Sequence, residues 1–135
     1  VQIAKQAVQN RILSQIEPDG SMPEELARTR PLFYSNYNLH ALFLVARLAE
    51  QVDVDVWNAG GSRLRAALNF LAPSADPNEP WPHPTINEND RMNMFPILLM
   101  AARAYPDGNY RQMVETLPMS ERKIRRENLV IPLMR

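Results

Sequence analysis

Apolar residues return at three- and four-residue intervals along most of the chain, and proline or glycine closes each run. Residues 1 to 17 set Ile3, Ala7, Val8, Ile12 and Ile16 along one helix, which Pro18, Asp19 and Gly20 then stop. From about Tyr34 to Gln51, the stripe Leu39, Leu42, Phe43, Ala46 and Ala49 is widened by Val45 and Leu48 until it covers most of the circumference. A helix apolar on so many sides is expected between neighbours. A third helix is predicted from Ser62 to Leu71, with Leu64, Ala67, Leu68 and Leu71 inward, Ser62 as N-cap and Pro73 beyond its end. RMNMFPILLMAARAY, residues 91 to 105, is helical again, with Pro96 acceptable only near the first turn. Two shorter helices are expected, at Tyr110 to Leu117 and Ser120 to Asn128.

No window alternates with period two for long enough to make a strand. The closing NLVIPLM is the single candidate, and Pro132 weakens it. The chain is therefore read as all-α, built of antiparallel helical hairpins. No repeat of fixed period supports a solenoid, and the proline-rich loops favour an α/α toroid over a plain bundle. Residues 72 to 90 hold five prolines in nineteen positions and no apolar period. Residues 73–91 are thus expected to be an ordered, proline-stiffened loop, of the kind that often lines a site.

Composition narrows the function classes. At 135 residues and 45% hydrophobic content the chain has the size and apolar share of one globular domain. Fifteen basic residues balance fifteen acidic ones, so no overall field draws the protein to nucleic acid or to an anionic membrane, and neither is expected as a partner. Any anion must be held by a local cluster. Cysteine is absent and only His40 and His83 supply imidazole, which argues against a thiolate or histidine-rich metal site; no cofactor is expected. The opening VQIAKQAVQN reads as the middle of a helix, without the pattern of a signal peptide or a membrane span.

The densest chemistry lies in ELARTRPLFYSNYNL, residues 25 to 39. Arg28 and Arg30 precede a helix on which Tyr34, Tyr37 and Asn38 follow. A guanidinium binds a carboxylate through two parallel bonds, and a phenol can transfer a proton, so the group suits an anionic sugar. The plainer alternative pairs the arginines with Glu24 or Glu25 and uses the tyrosines as packing anchors. Trp81 and His83, in EPWPHP, form a second candidate: an indole can stack on a sugar face and an imidazole can bond a hydroxyl. There the alternative is a tryptophan that pins the loop to the core. His40 reads as an ordinary helical histidine, and the methionines at 92, 94, 100 and 113 as core filling. ERKIRREN, with Arg122, Lys123, Arg125 and Arg126, reads as a solvated helix face.

EPDGSMPEELARTRPLFYSNYNLHALFLVARLAEQVDVDVW, residues 17 to 57, resembles the alginate lyase family and related uronate-polysaccharide lyases, with LRAALNFLAP and WPHPTI continuing the likeness. The similarity is dense over residues 15 to 86 and rests on a core of Asp-Gly, Pro, Glu-Leu, Arg and Tyr. It implies part of an (α/α) toroid that cleaves an acidic polysaccharide by β-elimination, in a secreted or periplasmic protein. By the same resemblance Tyr34 and Arg28 are the catalytic candidates, with Arg30 the other arginine able to meet the carboxylate. Arg30, Tyr37, Asn38, Trp81 and His83 are candidate substrate contacts. The family's Asn-His pair precedes the segment found here, and these 135 residues contain no such pair. The resemblance is therefore to the C-terminal part of a lyase, with an upstream part of the toroid or a partner chain supplying the remainder. A non-catalytic carbohydrate-binding module or a structural interaction domain are the other readings.

Overall fold

The computed structural model describes residues 2–76, 78–87 and 94–117. Within them the protein is all-α. Helix α1 (Gln2–Ala7) runs into a π-helical turn (Val8–Ile12), followed by α2 (Pro23–Leu26), α3 (Pro31–Ala49) and a 3-10 extension (Glu50–Val52). Helix α4 (Ala59–Leu71) continues as a 3-10 turn (Ala72–Ala75), and α5 (Phe95–Ala104) and α6 (Tyr110–Thr116) complete the described chain. Residues 78–87 carry no regular element. The expected helix at Ser120 to Asn128, the NLVIPLM segment, the ERKIRREN cluster, Met92 and part of the 73–91 loop lie outside the described residues. No described helix is long and apolar enough to cross a membrane.

Three helices begin the way their prolines require. Pro23, Pro31 and Pro96 each sit in a first turn, where the missing N–H has no intrahelical acceptor to satisfy and the fixed φ already suits a helix. Helix α3 is the hub, packed against α2, α4 and α5. It buries Leu32, Leu39, Leu42, Phe43, Ala46 and Ala49, the stripe that its periodicity marks. Val45 and Leu48 differ from expectation: they extend the apolar circumference yet remain exposed, lining an open groove together with Val8 and Ile12. The first helix also differs. Val8, Ile12 and Ile16 are buried while Ile3 and Ala7 stay exposed, since the wider π turn breaks the helical phase between the two groups.

Ser62 is not an N-cap. Gly60, Gly61 and Ser62 take φ of +58, +69 and +62°, a left-handed turn that delays the regular helix until after Ser62. The Ser62 N–H closes this turn on the Asn58 carbonyl oxygen at 3.2 Å. Beyond it, α4 buries Leu64, Ala67, Leu68 and Leu71 as expected. The methionine reading holds at Met94 and Met100, which are buried, and at the half-buried Met113.

Rings and polar ties lock α3 to α5. Trp57 meets Phe43 at 5.0 Å and Tyr105 at 5.9 Å, both edge to face. Its indole N–H donates to Glu50 Oε1 at 2.7 Å, while Glu50 Oε2 pairs with Arg103 at 3.1 Å and the Tyr105 hydroxyl donates to the Trp57 carbonyl oxygen at 2.8 Å. Burial, reinforced by the nearby Tyr110, pushes the Tyr105 phenol above its ordinary value of 10.0.

The chain segment entering α2 is fixed by contact with α4. Gly20 has φ +89° and closes a turn through its N–H to the Glu17 carbonyl oxygen at 2.9 Å. A Cβ at this position would run into the Ala66 carbonyl oxygen on α4. Asp19 Oδ1 accepts the Ser21 hydroxyl at 2.7 Å and the Ser21 N–H at 2.9 Å, and these bonds hold its carboxyl below the ordinary value. Arg63 Nη1 donates to the Ile16 carbonyl oxygen at 2.5 Å and ties the same segment to α4 from its other side.

Gly20→Ala should therefore lower stability by about 2–4 kcal/mol, the sum of left-handed strain and a clash with backbone that cannot swing aside. Gly61→Ala has similar φ but open space around it, so it should cost only about 1–2 kcal/mol. Urea unfolding of the two variants checks the difference, and equal losses would show that the close approach contributes nothing. A second expectation concerns alkali. The fold favours neutral Tyr105, so its contribution is fully present below about pH 10 and is lost as pH rises past the unfolded phenol's pKa. Melting temperatures at about pH 9 and pH 11 should show the decline, and Tyr105→Phe should shrink its slope.

Candidate functional site

Two consecutive short-range arrangements place the candidate residues. Helix α2 lasts a single turn, so Glu25 and Arg28 lie three positions apart on one side of it, and Arg28 Nη1 stands 3.7 Å from Glu25 Oε2. Pro31 then starts α3, whose first-turn bond from the Tyr34 N–H to the Arg30 carbonyl oxygen is 3.0 Å long. That register brings the Tyr34 ring beneath the Arg28 guanidinium, whose central carbon lies 3.5 Å from the ring centroid. Arg30 is engaged differently, with its guanidinium carbon 4.2 Å from the centre of Phe33.

Glu25, Arg28, Phe33, Tyr34, Tyr37 and Asn38 line one groove of about 350 Å³. Phe33 and Tyr37 stack with their planes 18° apart and centroids 6.3 Å apart, one helical turn from each other. Tyr37 is 71% exposed, so the outer face of its ring is open to a ligand. Asn38 is held from behind: its amide N–H donates to Gln15 Oε1 at 2.9 Å and approaches Met22 Sδ at 3.6 Å. The Arg28 side chain is 51% exposed, and at 3.7 Å Glu25 restrains it only weakly, leaving donors available for another carboxylate.

A second groove, about 290 Å³, opens on the other side of Arg28 between Ala27, Thr29, Pro84, Thr85 and Ile86. The proline-rich loop is fastened here by the Ile86 N–H, which donates to the Thr29 carbonyl oxygen at 3.2 Å. Thr85 steadies the loop through its hydroxyl, 3.3 Å from both the backbone N and the carbonyl oxygen of Asn87. Arg28 is thus common to both depressions.

Trp81 and His83 line neither groove. They form a separate aromatic group with Phe70 of α4: Trp81 lies 6.5 Å and His83 6.1 Å from Phe70, and 4.9 Å from each other. The Trp81 Nε1 atom is buried and has no hydrogen-bond partner among the described residues. Arg30 also lies outside the lining of the tyrosine groove, and His40 is half-buried on α3. Among the described residues no cluster of three or more carboxylate or imidazole groups could hold a metal ion. Phe33 was not singled out by sequence reasoning, although its four-residue spacing from Tyr37 was a usable signal. Gln15 carried no such signal, because its contact with Asn38 crosses from a distant part of the chain, and the proline-rich loop was marked by composition alone, which does not say that residues 84–86 meet Arg28.

Against known proteins, a family model described as Alginate lyase matches residues 1–81. The crystal structure of an alginate lyase from Bacteroides ovatus, at 1.60 Å resolution, is similar with a TM-score of 0.82 and 29% sequence identity. That match covers 98% of this chain but 37% of the other, so the chain spans little more than a third of that enzyme's length. No match was found among curated proteins.

Since Arg28 contributes one exposed cation–π contact and one loose ion pair, Arg28→Ala should cost about 1 kcal/mol or less in unfolding free energy. Chemical denaturation checks this, and a loss of several kcal/mol would make the arginine a structural element of the α2–α3 turn.

Proposed function

The chain belongs to the alginate lyase family, and on that premise we propose that it forms part of a lyase that breaks an acidic uronate polysaccharide, such as alginate or glucuronan, by β-elimination. The observation that carries this reading is the Arg28 guanidinium stacked over Tyr34 in a groove open to solvent. A cation and a proton-transfer group side by side are what elimination from a uronate needs.

In that reaction the C5–H bond breaks and its electron pair becomes the C4=C5 double bond. The C4–O4 bond then breaks, and O4 leaves with a proton. The adjacent carboxylate resists loss of the C5 proton because negative charge would accumulate on it. Arg28 offsets that charge by bidentate bonding, which strengthens as the charge develops. Tyr34 transfers a proton at C5 or O4. The exposed ring of Tyr37, backed by Phe33, receives the apolar face of a sugar, and Asn38 presents an amide fixed by Gln15.

Because Arg28 also borders the second groove, the polymer runs on past Thr29 and Ile86. Arg30, at the edge over Phe33, and Trp81 and His83, farther along the same loop, are proposed as outlying contacts. The resemblance puts a further carboxylate ligand in an upstream Asn-His pair, so the 135-residue chain by itself is expected to be nearly inactive. A polymer of this kind is met outside the cytoplasm, and the protein is proposed to act as a secreted or periplasmic enzyme.

A second reading, a sugar-binding surface without chemistry, is favoured by the open Tyr37 ring. Tyr34→Phe in the complete enzyme separates the two while retaining the ring beneath Arg28. It should lower kcat by at least about 10²-fold with little change in KM, since the hydroxyl acts in the transition state. The ultraviolet absorbance of unsaturated uronate ends reports the rate. A parental rate in that variant would reduce Tyr34 to a packing residue, and an unmodified enzyme that binds polyuronate without forming unsaturated ends would favour the binding surface.

A further inference from the structure

Asn38 lines the tyrosine groove, yet its amide nitrogen is occupied from behind. Nδ2 donates to Gln15 Oε1 at 2.9 Å and approaches Met22 Sδ at 3.6 Å. Two facing amides can exchange donor and acceptor by turning over together, so Gln15 alone leaves the polarity of Asn38 open. Met22 breaks the symmetry. A thioether sulfur accepts and cannot donate, and Met22 is buried, so an Oδ1 turned toward it would set two acceptors against each other. Nδ2 is therefore the inward atom, with one hydrogen for each partner, and the planar amide turns Oδ1 the other way. Among the described residues no hydrogen bond reaches Oδ1.

Resting on the lyase reading of this groove, we propose that Gln15 and Met22 are positioning residues that make Asn38 an acceptor, so that the groove selects a uronate with its carboxylate at Arg28 and a free ring hydroxyl at Asn38. The groove is then polarised along its length. Arg28 offers only donors, which suits a carboxylate, whereas Asn38 offers only the acceptor Oδ1, which suits a hydroxyl. A carboxylate placed at Asn38 would meet a second acceptor. Tyr34, beneath Arg28, and Asn38 stand one helical turn apart, roughly 6 Å along the axis at about 1.5 Å per residue. A sugar ring laid on Tyr37 between these two ends therefore has one direction that satisfies both.

Gln15 acts from 23 positions away and lies outside the groove's lining, so its whole effect passes through the orientation of Asn38. The bond it prepares is a neutral one, made alike in the bound sugar and in the transition state. Its loss weakens binding and leaves the proton transfer at Tyr34 untouched, which separates it from the loss of the Tyr34 hydroxyl. With the acceptor at position 15 removed, the Asn38 amide is free to turn, and a nitrogen brought to the groove cannot accept the hydroxyl.

The test compares Gln15→Leu with Gln15→Glu in the complete enzyme carrying Tyr34→Phe, which holds turnover down. Equilibrium binding of a short alginate oligosaccharide is measured in about 0.15 M salt, which screens the charge added by glutamate beyond about 8 Å. Leucine keeps the packing volume and loses the acceptor, while glutamate keeps the acceptor. Affinity should fall about three- to tenfold in Gln15→Leu and stay within about twofold of the parent in Gln15→Glu. The same ligand with its ring hydroxyls methylated should bind the parent more weakly and show no further loss on Gln15→Leu. Unchanged affinity in Gln15→Leu would overturn the proposal. So would the order that packing alone requires, with leucine tolerated and glutamate not, or an undiminished Gln15→Leu loss on the methylated ligand. An otherwise unmodified enzyme that never forms unsaturated ends, while its variants keep the expected order of binding, would refute the lyase reading and leave the role of Gln15 standing.

Discussion

The close approach of Gly20 to the backbone of α4 governs where everything from α2 onward begins. No side chain separates the turn from the Ala66 carbonyl oxygen, so the two segments meet at a distance that only glycine permits. Arg63 holds the same segment from α4 through the Ile16 carbonyl oxygen. Helix α2 starts three residues later and lasts one turn, leaving little slack between this contact and Arg28. The backbone leading to Arg28 is thus placed by a contact on the far side of α2, while Glu25, at 3.7 Å, restrains the guanidinium only weakly.

Helix α3 then serves two purposes along its length. Its first turns carry Phe33, Tyr34, Tyr37 and Asn38 into the groove, and its last turns present Val45 and Leu48 to solvent. Its inner side is anchored by Phe43 on Trp57, and through Trp57 to Tyr105. The helix is consequently rigid where it faces the core and available where it faces outward.

Charge is arranged economically around the groove. The protein has no net charge, yet Arg28 sits where two depressions meet, with a weakly held carboxylate as its one ion-pair partner among the described residues. On the proposed lyase reading, a uronate entering the groove would exchange that loose contact for a tighter bidentate one, so little would be lost on binding. Arg30, two positions later, sets its guanidinium over Phe33 and lies outside that groove's lining. Two arginines of equal chemistry are separated by the turn geometry alone.

The signals legible in the chain's order of residues are local. The prolines at 23, 31 and 96 mark helix starts, the three- and four-residue recurrence of Leu39, Leu42, Phe43 and Ala46 marks the buried side of α3, and the Asp-Gly to Tyr34 motif carries the family likeness. These signals are legible because each depends on residues within one or two turns of one another. Folding in three dimensions was needed to place Arg28 and not Arg30 in the lining of the tyrosine groove, to pack Trp81 and His83 on Phe70, and to join Ile86 to Thr29 beside Arg28. It also decided that Val45 and Leu48 face solvent and that Ser62 is left-handed instead of capping a helix. Those outcomes depend on contacts between segments tens of residues apart, or on backbone dihedrals that glycine neighbours make accessible, and hydrophobic periodicity encodes neither.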